Sequence, residues 1–517
     1  MRVRTLDWAV LAVILGLAFV LRFWGLGFGL PHWFTRPDEE TAIIHAIHIA
    51  QGHPNPQWFH WPTLYLYILA VPYGWYFGWR WVRGIPVPLG IAELYFAHPA
   101  PFHLIDRGIS AALGTLSVYV VYRLARTFSS HRGALVAAFF LASAPLHVRD
   151  SHFGVTDVAA TFMVLTALVA ILAWRRVPSR GRLVLAGVAC GLAASTKYNV
   201  AIVVAPAMLA VLLQRASVAR AKVSNLAIVC VAAAAAFVAG TPYALLTPNA
   251  FMSGLREVSQ HMAAGQGIDL GSGWWYHLHA TLRYGLGLPL LLASLAGGLW
   301  LAISRPALAA IVLSFPLAYY AAGGSTHLVF FRYMLPAVPF LCLSAGYLVA
   351  RLPGAAAAAV AVAMMLPGIF DAIQLDRRLG RTDTRVLAAD WIRDHVPAGA
   401  SLYQSGAIYG HLWLESSKGY REFGLAPPNG PFTQDGTPAP LPDVIVMQQS
   451  PLMYSNDVPF VMEIAQRNYP PAAQFLGYDP AQSAGNIYDP LDAFYLPLRG
   501  FRGVERPGPN LTIYRKR

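Results

Sequence analysis

Charge is what this 517-residue chain has least of: 12% of its residues are Asp, Glu, Lys or Arg, against about 25% in an ordinary soluble domain. So few charges cannot cover a water-facing surface, which excludes a simple soluble globule. Acidic residues are scarcest, 25 against 38 Lys and Arg, leaving a net charge of +13. Such an excess suits nucleic acid, but the cations lie mainly in short loops between apolar runs, where they report topology; no nucleic-acid partner is expected. Cysteine is nearly absent. Cys190, Cys230 and Cys342 all sit in apolar segments without ligand spacing, which excludes a disulfide framework or zinc cluster and leaves them as packing residues. Internal repeats and low-complexity linkers are also lacking. After Met-Arg-Val-Arg, the stretch Trp8–Leu30 has no small-residue cleavage site, so it reads as a retained first helix.

What is present is apolar sequence: 56% hydrophobic residues, in runs long enough to cross a hydrocarbon core of about 30 Å. They are Trp8–Leu26, Thr63–Trp79, Ile105–Leu124, Gly133–Leu146, Val155–Trp174, Leu183–Leu213 (expected to break near Lys197 to Pro206), Val223–Leu246, Leu282–Ile303, Pro306–Ala322, Leu328–Ala350 and Ala355–Phe370. Basic clusters at Arg123/Arg126/Arg132, Arg175/Arg176/Arg180/Arg182, Arg215/Arg220/Lys222, Arg305 and Arg351 mark cytoplasmic loops. The outer face then receives 31–62, 147–156, the region near Lys197, 247–281, 323–332 and everything after about residue 372. Alternation fails at one point. If Thr63–Trp79 crosses once, either 80–104 holds another crossing or one segment only dips into the bilayer, so the expected count is about 11–13 helices.

The expected architecture is thus an α-helical polytopic membrane protein, residues 1–372, followed by a small soluble α/β domain, 373–517, outside the cell membrane. In the latter, Asp383–His395 has helical apolar spacing, and Asp443–Met447 and Leu511–Tyr514 read as strands.

Ionisable residues at the outer level carry the candidate chemistry. Thr-Arg-Pro-Asp-Glu-Glu (35–40) places carboxylates just outside the first helix, suited to a general base or a cation site; Asp38 as an N-cap, with Glu39 and Glu40 complementing the dipole, is the plain alternative. Arg149, Asp150 and His152 precede Asp157, at the outer end of an apolar helix, where a carboxylate is costly unless paired or facing water. Either function or a structural ion pair accounts for it. Lys197 lies within some thirty mostly apolar residues, with no local partner and snorkelling as its bland explanation. Arg332, close to His327, shares that level. Cations and carboxylates converging on one face suit a phosphate-bearing substrate and a proton to be removed.

These residues bring the chain to a family. Pro37-Asp38-Glu39, Asp106-Arg107-Gly-Ile-Ser-Ala-Ala-Leu-Gly-Thr-Leu, Ser143-Ala-Pro145 leading to Asp157, Ser195-Thr-Lys197, Trp274-Trp-Tyr276 and Arg332-Tyr-Met-Leu-Pro336 occur in an order and spacing that resemble the GT-C membrane glycosyltransferases. The likeness is greatest to the branch of protein mannosyltransferases and lipid A aminoarabinose transferases (glycosyltransferase family 39/83-like). The resemblance implies an inverting transfer of one sugar from a polyprenyl-phosphate donor to a glycan, lipid or protein acceptor at the outer face. It implies that Asp38, with Glu39 beside it, acts as base, that Lys197 and Arg332 bind the donor phosphate, and that Asp157, Arg149, His152 and His327 support them. Trp274-Trp-Tyr276-His277 lacks the Asp of the oligosaccharyltransferase signature. No cofactor is required; a divalent cation on Asp38, Asp157 and His152 is conceivable. The competing reading is a transporter or lipid-binding protein without transferase activity, since charges in membrane helices also mark transport paths. A third is a scaffold that has lost catalysis.

Overall fold

The computed structural model describes residues 5–214, 218–414, 416–428, 430–455 and 458–516; Met1 to Arg4 and Arg215 of the basic loops lie outside them. Internal contacts divide the chain into two units. The first comprises Met1–Phe23, Thr41–Leu89 and Ile105–Ile373, and the second Trp24–Glu40, Gly90–Leu104 and Gln374–Arg517.

Helices run through the chain in the order α1 (Thr5–Phe23), α2 (Glu39–Ala50), α3 (Leu64–Val82), α4 (Ala100–Phe128), α5 (His131–Ser143), α6 (Pro145–Asp150), α7 (Thr156–Arg176), α8 (Arg180–Ala194), α9 (Val204–Leu212) and α10 (Ala219–Gly240). Then come α11 (Tyr243–Leu246), α12 (Pro248–Ala264), α13 (Gly273–Tyr276), α14 (Arg283–Leu286), α15 (Leu288–Ser304), α16 (Pro306–Gly323), α17 (Val338–Val349) and α18 (Gly354–Leu379). All eleven apolar runs fall on these helices. Among the described residues, six helical stretches are individually long and apolar enough to cross a membrane, seven if the pair around Gly287 counts as one span. The first run folds as the 19-residue α1, and the others fold as shorter or less apolar helices. Between Arg83 and Pro99 there is only a π-helical turn, Ala92–Phe96, so 80–104 holds no additional crossing helix.

Breaks and close approaches both trace to local sequence. The run Leu183–Leu213 ends α8 at Ala194 and resumes as a 3₁₀ turn, Tyr198–Val203, before α9, which leaves Lys197 on the interruption. Gly287, at φ +90°, makes the 110° bend between Gly273–Leu286 and Leu288–Ser304, a backbone conformation that a side chain would oppose. Helices meet through small residues, as membrane helices do: a Cβ on Gly191 of α8 would fall 2.1 Å from the Ala233 carbonyl of α10, and one on Gly297 of α15 2.0 Å from the Ser344 carbonyl of α17.

The second unit contains α19 (Thr384–His395), α20 (Pro459–Asn468) and strands β1 (Ser401–Gln404), β2 (Arg421–Leu425), β3 (Phe432–Gln434), β4 (Thr437–Pro438), β5 (Val444–Gln449), β6 (Pro471–Phe475) and β7 (Asn510–Arg515), in the sheet order β4-β3-β2-β1-β5-β7-β6. β1 pairs in parallel with β2 and β5, and the outer pairings are antiparallel. The continuous apolar run of β5 reflects burial on both faces. Val444 and Val446 pack with Ala388 and Ile392 of α19, and Ile445 and Met447 pack with Val461 and Ala465 of α20. Asp383 caps α19, accepting a 2.9 Å hydrogen bond from the Arg385 amide. The helix and both strands expected in this region are therefore present.

Candidate functional site

In the second unit, the segment before α2 is organised by a buried cation. Arg36, fully buried, donates to the Pro37 carbonyl and to Asp492 at 3.2 Å, and lies 3.8 Å from Asp38. Asp38 keeps 39% of its side chain exposed and takes a φ of +77°, uncommon for a non-glycine residue, though Asp tolerates it better than most. It directly precedes α2, yet this is not the extended backbone typical of a side-chain N-cap. Glu39 turns inward, with its carboxylate 3.4 Å from His103 Nδ1 and both side chains fully buried; His103 Nε2 in turn meets the Tyr95 hydroxyl at 3.0 Å. Glu40 is pushed up to about 8, first by burial, then by the negative charges of Asp38 and Glu39. Adjacent acidic residues are thus set apart by environment, a pattern frequent at functional sites.

The sign of the Glu40 shift gives a testable stability effect. Its folded-state pKa exceeds the ordinary carboxylate value, so the native state binds the extra proton between about pH 4.5 and 8, and stability falls as pH rises through that window. Glu40→Gln is expected to match wild type near pH 5 in thermal midpoint and to exceed it increasingly towards pH 8. Parallel pH profiles of the two proteins would refute the assignment.

In the first unit, Lys197 Nζ donates to Asp157 Oδ1 at 2.5 Å, with 14% and 4% of their side chains exposed. The partner missing from the local sequence is forty residues away, where the break after α8 meets the start of α7. Lys197 also lies 5.3 Å from the centroid of the Tyr333 ring, and the Arg332 guanidinium carbon 5.8 Å from the same centroid and 4.0 Å from that of Phe330. Tyr333 thus gathers two cations that sequence places 135 positions apart, an arrangement worth about 0.5–2 kcal/mol per contact. Arg149, buried in α6, faces Asp150 at 3.2 Å and lies over the rings of Phe153 and Phe331. His152 donates from Nδ1 to the Val148 carbonyl at 3.0 Å. His327 is exposed, beside Gly265, outside these contacts.

Asp106 of the Asp-Arg-Gly motif is buried and accepts a 2.5 Å hydrogen bond from Tyr65 of α3. Gly154 lies so close that a Cβ there would fall 2.2 Å from the Asp106 carboxylate. Trp274 is the second residue of the one-turn helix α13, and its indole donates to the Ala321 carbonyl at 2.9 Å. Among the described residues, no three His, Cys, Asp or Glu side chains group as metal ligands. Asp157 is engaged with Lys197 and His152 with its own helix, so neither presents a free ligand for the conceivable cation. The sequence reading missed Arg36, His103 and Tyr333, and treated Glu40 as a mere helix-start charge. Arg36 and Tyr333 immediately flank motif residues, the one signal that pointed to them.

Residues 107–243 match the family described as dolichyl-phosphate-mannose-protein mannosyltransferase. No curated protein matches the chain by sequence. Among solved structures, the chain is similar to ArnT from Cupriavidus metallidurans bound to undecaprenyl phosphate, with 16% identity, a TM-score of 0.53, and coverage of 99% of this chain and 98% of that one. It is also similar to the oligosaccharyltransferase of Archaeoglobus fulgidus, in the apo form at 17% identity and TM-score 0.50, covering 76% of this chain and 58% of that one. An archaeal oligosaccharyltransferase, AglB from Archaeoglobus fulgidus, in complex with an inhibitory peptide and a dolichol-phosphate, matches at 15% identity and TM-score 0.51, over 79% and 63% of the two chains. The chain therefore spans about three fifths of the archaeal enzyme and nearly all of ArnT. Residues 107–243 thus match the mannosyltransferase family model, and this multi-pass membrane protein shares the fold of the GT-C membrane enzymes ArnT and the archaeal oligosaccharyltransferase.

Proposed function

We propose that the protein transfers a sugar from a polyprenyl-phosphate carrier to an acceptor hydroxyl, with inversion at the anomeric carbon, at the outer face of the membrane. The observation that carries this reading is the Lys197–Asp157 pair with Arg332 on the same Tyr333 ring. Two largely buried cations held beside aromatic rings suit a phosphate leaving group, which needs charge neutralisation more than protonation. ArnT bound to undecaprenyl phosphate and AglB bound to a dolichol-phosphate are fold neighbours, which supports a lipid-phosphate donor.

In the proposed displacement, the acceptor oxygen forms a bond to the anomeric carbon while the bond from that carbon to the phosphate oxygen breaks. The electron pair leaves on polyprenyl phosphate, balanced by Lys197 and Arg332, and the hydroxyl proton passes to a carboxylate, the role that the family resemblance gives to Asp38 of the second unit. Asp157 holds Lys197 in place; Arg149, stacked on Phe331, steadies the turn that carries Arg332. Glu39 is fixed to His103 and serves as a positioning group. One displacement at one centre inverts configuration, in contrast to the two-step carboxylate route of retaining glycosidases.

The donor half is tested by lipid binding. Arg332→Ala is expected to weaken undecaprenyl-phosphate binding by about tenfold or more, given about 1.5–3 kcal/mol for a hydrogen bond to a charged group; unchanged affinity would remove Arg332 from the phosphate site. Orientation is tested separately. A cysteine introduced on the exposed face of the C-terminal unit, at Arg467, should react with a membrane-impermeant thiol reagent in intact cells. Labelling only after lysis would place that unit in the cytoplasm.

The transporter reading has less support. The cations are held by an ion pair and by aromatic rings, with no repeated half to supply the alternating partner that transport folds use.

A further inference from the structure

The second unit holds a cleft of about 610 Å³ that the transfer reaction does not use, well within the range of small-molecule sites. Its lining includes His32, 6% exposed; one ring N–H faces the Phe34 backbone, and beyond that neither ring nitrogen has a well-formed hydrogen bond among the described residues. Trp413, 43% exposed, forms a wall with Phe96, the two ring centroids 5.7 Å apart. Trp33 braces Trp413 edge-on from behind at 5.2 Å. Lys418 and the Arg393–Asp390 ion pair, 2.8 Å apart, line the cleft beyond them.

The chemistry of the floor selects the ligand. Burial and the nearby Arg385 charge push His32 down to about 3, so at neutral pH its imidazole offers one donor and one bare acceptor nitrogen. The donor faces the Phe34 backbone, and leaving the bare acceptor nitrogen unmade in a buried position costs free energy. Phosphate or carboxylate satisfies the donor but not the bare nitrogen; a hydroxyl satisfies either. The Trp413 face requires an apolar surface at the same ligand, since aromatic rings recognise through broad contact. A molecule that is flat and carbon-hydrogen-lined on one side and hydroxyl-rich at its edge is a sugar ring. Arg385 is no competitor for that ligand, because its guanidinium is spent on Asp383 at 2.7 Å and on the Tyr409 carbonyl.

We propose that this cleft is a saccharide-binding site, with Trp413 as the stacking platform and His32 as the hydroxyl-reading group at the floor. None of the residues lining the cleft belongs to the Asp38 or Lys197 clusters, and the inference does not depend on the transferase reading.

The test uses the full-length protein in nanodiscs, with methyl mannoside, methyl glucoside, glucuronate, N-acetylglucosamine and their β-linked disaccharides as probes, and inorganic phosphate as the competing anion. Binding is followed by saturation-transfer NMR and calorimetry. At least one saccharide is expected to bind saturably, with transfer strongest to ring C–H protons. Trp413→Ala is expected to weaken it at least tenfold, and His32→Phe to do the same, while His32→Gln, which keeps a donor and an acceptor, retains more affinity than His32→Phe. Asp38→Asn should bind as wild type does, which separates this site from the transferase site. The proposal is overturned if no probe binds, if Trp413→Ala binds unchanged, or if phosphate displaces the saccharide as well as another saccharide does. Should His32→Phe fail to fold, Trp413→Ala decides alone. A protein that binds saccharide at the cleft but never turns over donor lipid would refute the transferase reading and leave this one standing.

Discussion

Asp38→Asn is expected to lower transfer by about 10²–10⁴-fold, the range spanned by a positioned general base, while leaving donor-lipid affinity unchanged. The substitution keeps the shape of the side chain and removes only its charge. Asp38 is the exposed member of its acidic trio, since Glu39 is sealed against His103 and Glu40 is held mostly protonated at neutral pH; it is therefore the carboxylate able to meet an incoming hydroxyl. A second readout separates a base from a structural residue. The Asp38 charge is one of the groups that raise Glu40, so removing it should lower the Glu40 pKa and flatten the stability loss between pH 5 and 8. A variant with that flattening but full transfer would show that Asp38 shapes the loop without taking the proton. Retention of both would remove it from the mechanism altogether.

Lys197→Met carries the second large effect, and it has two separable parts. Asp157 is 4% exposed, and removing its partner leaves a buried carboxylate uncompensated, at a cost of about 3–5 kcal/mol. The thermal midpoint should drop accordingly. Asp157→Asn in the same chain removes the stranded charge, so the double variant should regain most of the stability. It should not regain transfer, because the ammonium proposed to balance the leaving phosphate is still missing; its donor KM is expected to stay raised and its kcat to stay at least about 10²-fold down, the scale of losing one transition-state donor. If the double variant recovers both stability and transfer, Lys197 is a packing charge only. If Lys197→Met is as stable as wild type, the ion pair is not buried as described.

Much of the fold was legible in sequence because membrane helices announce themselves by length and composition, and because β5, buried on both faces, shows an unbroken apolar run. The break after α8 was legible too, since a lysine inside an apolar stretch has nowhere to go unless the helix opens around it. Less visible were features set by contact rather than composition. A sequence window reports the hydropathy of Leu282–Ile303 but not the 110° bend at Gly287, because one positive φ leaves no compositional trace. The candidate residues divide in the same way. Asp38, Asp157, Lys197 and Arg332 were readable as costly ionisable groups. Their pairing was not: the Asp157 partner of Lys197 is remote in sequence, and the Tyr333 ring beside both cations is an ordinary aromatic residue until the fold turns it. Arg36 and Glu40 were hidden for a related reason. Burial, which sets the role of each, is not a local property of Thr-Arg-Pro-Asp-Glu-Glu.

The central claim is turnover of a lipid-phosphate donor, and it is tested most directly by incubating the purified full-length protein in nanodiscs with polyprenyl-phosphate-linked sugars and a panel of glycan, lipid and peptide acceptors, and quantifying free polyprenyl phosphate. The account predicts acceptor-dependent release by the wild-type protein, and none above background from Asp38→Asn or Lys197→Met/Asp157→Asn. Equal release by wild type and both variants, or tight donor binding with no release across the panel, would contradict it.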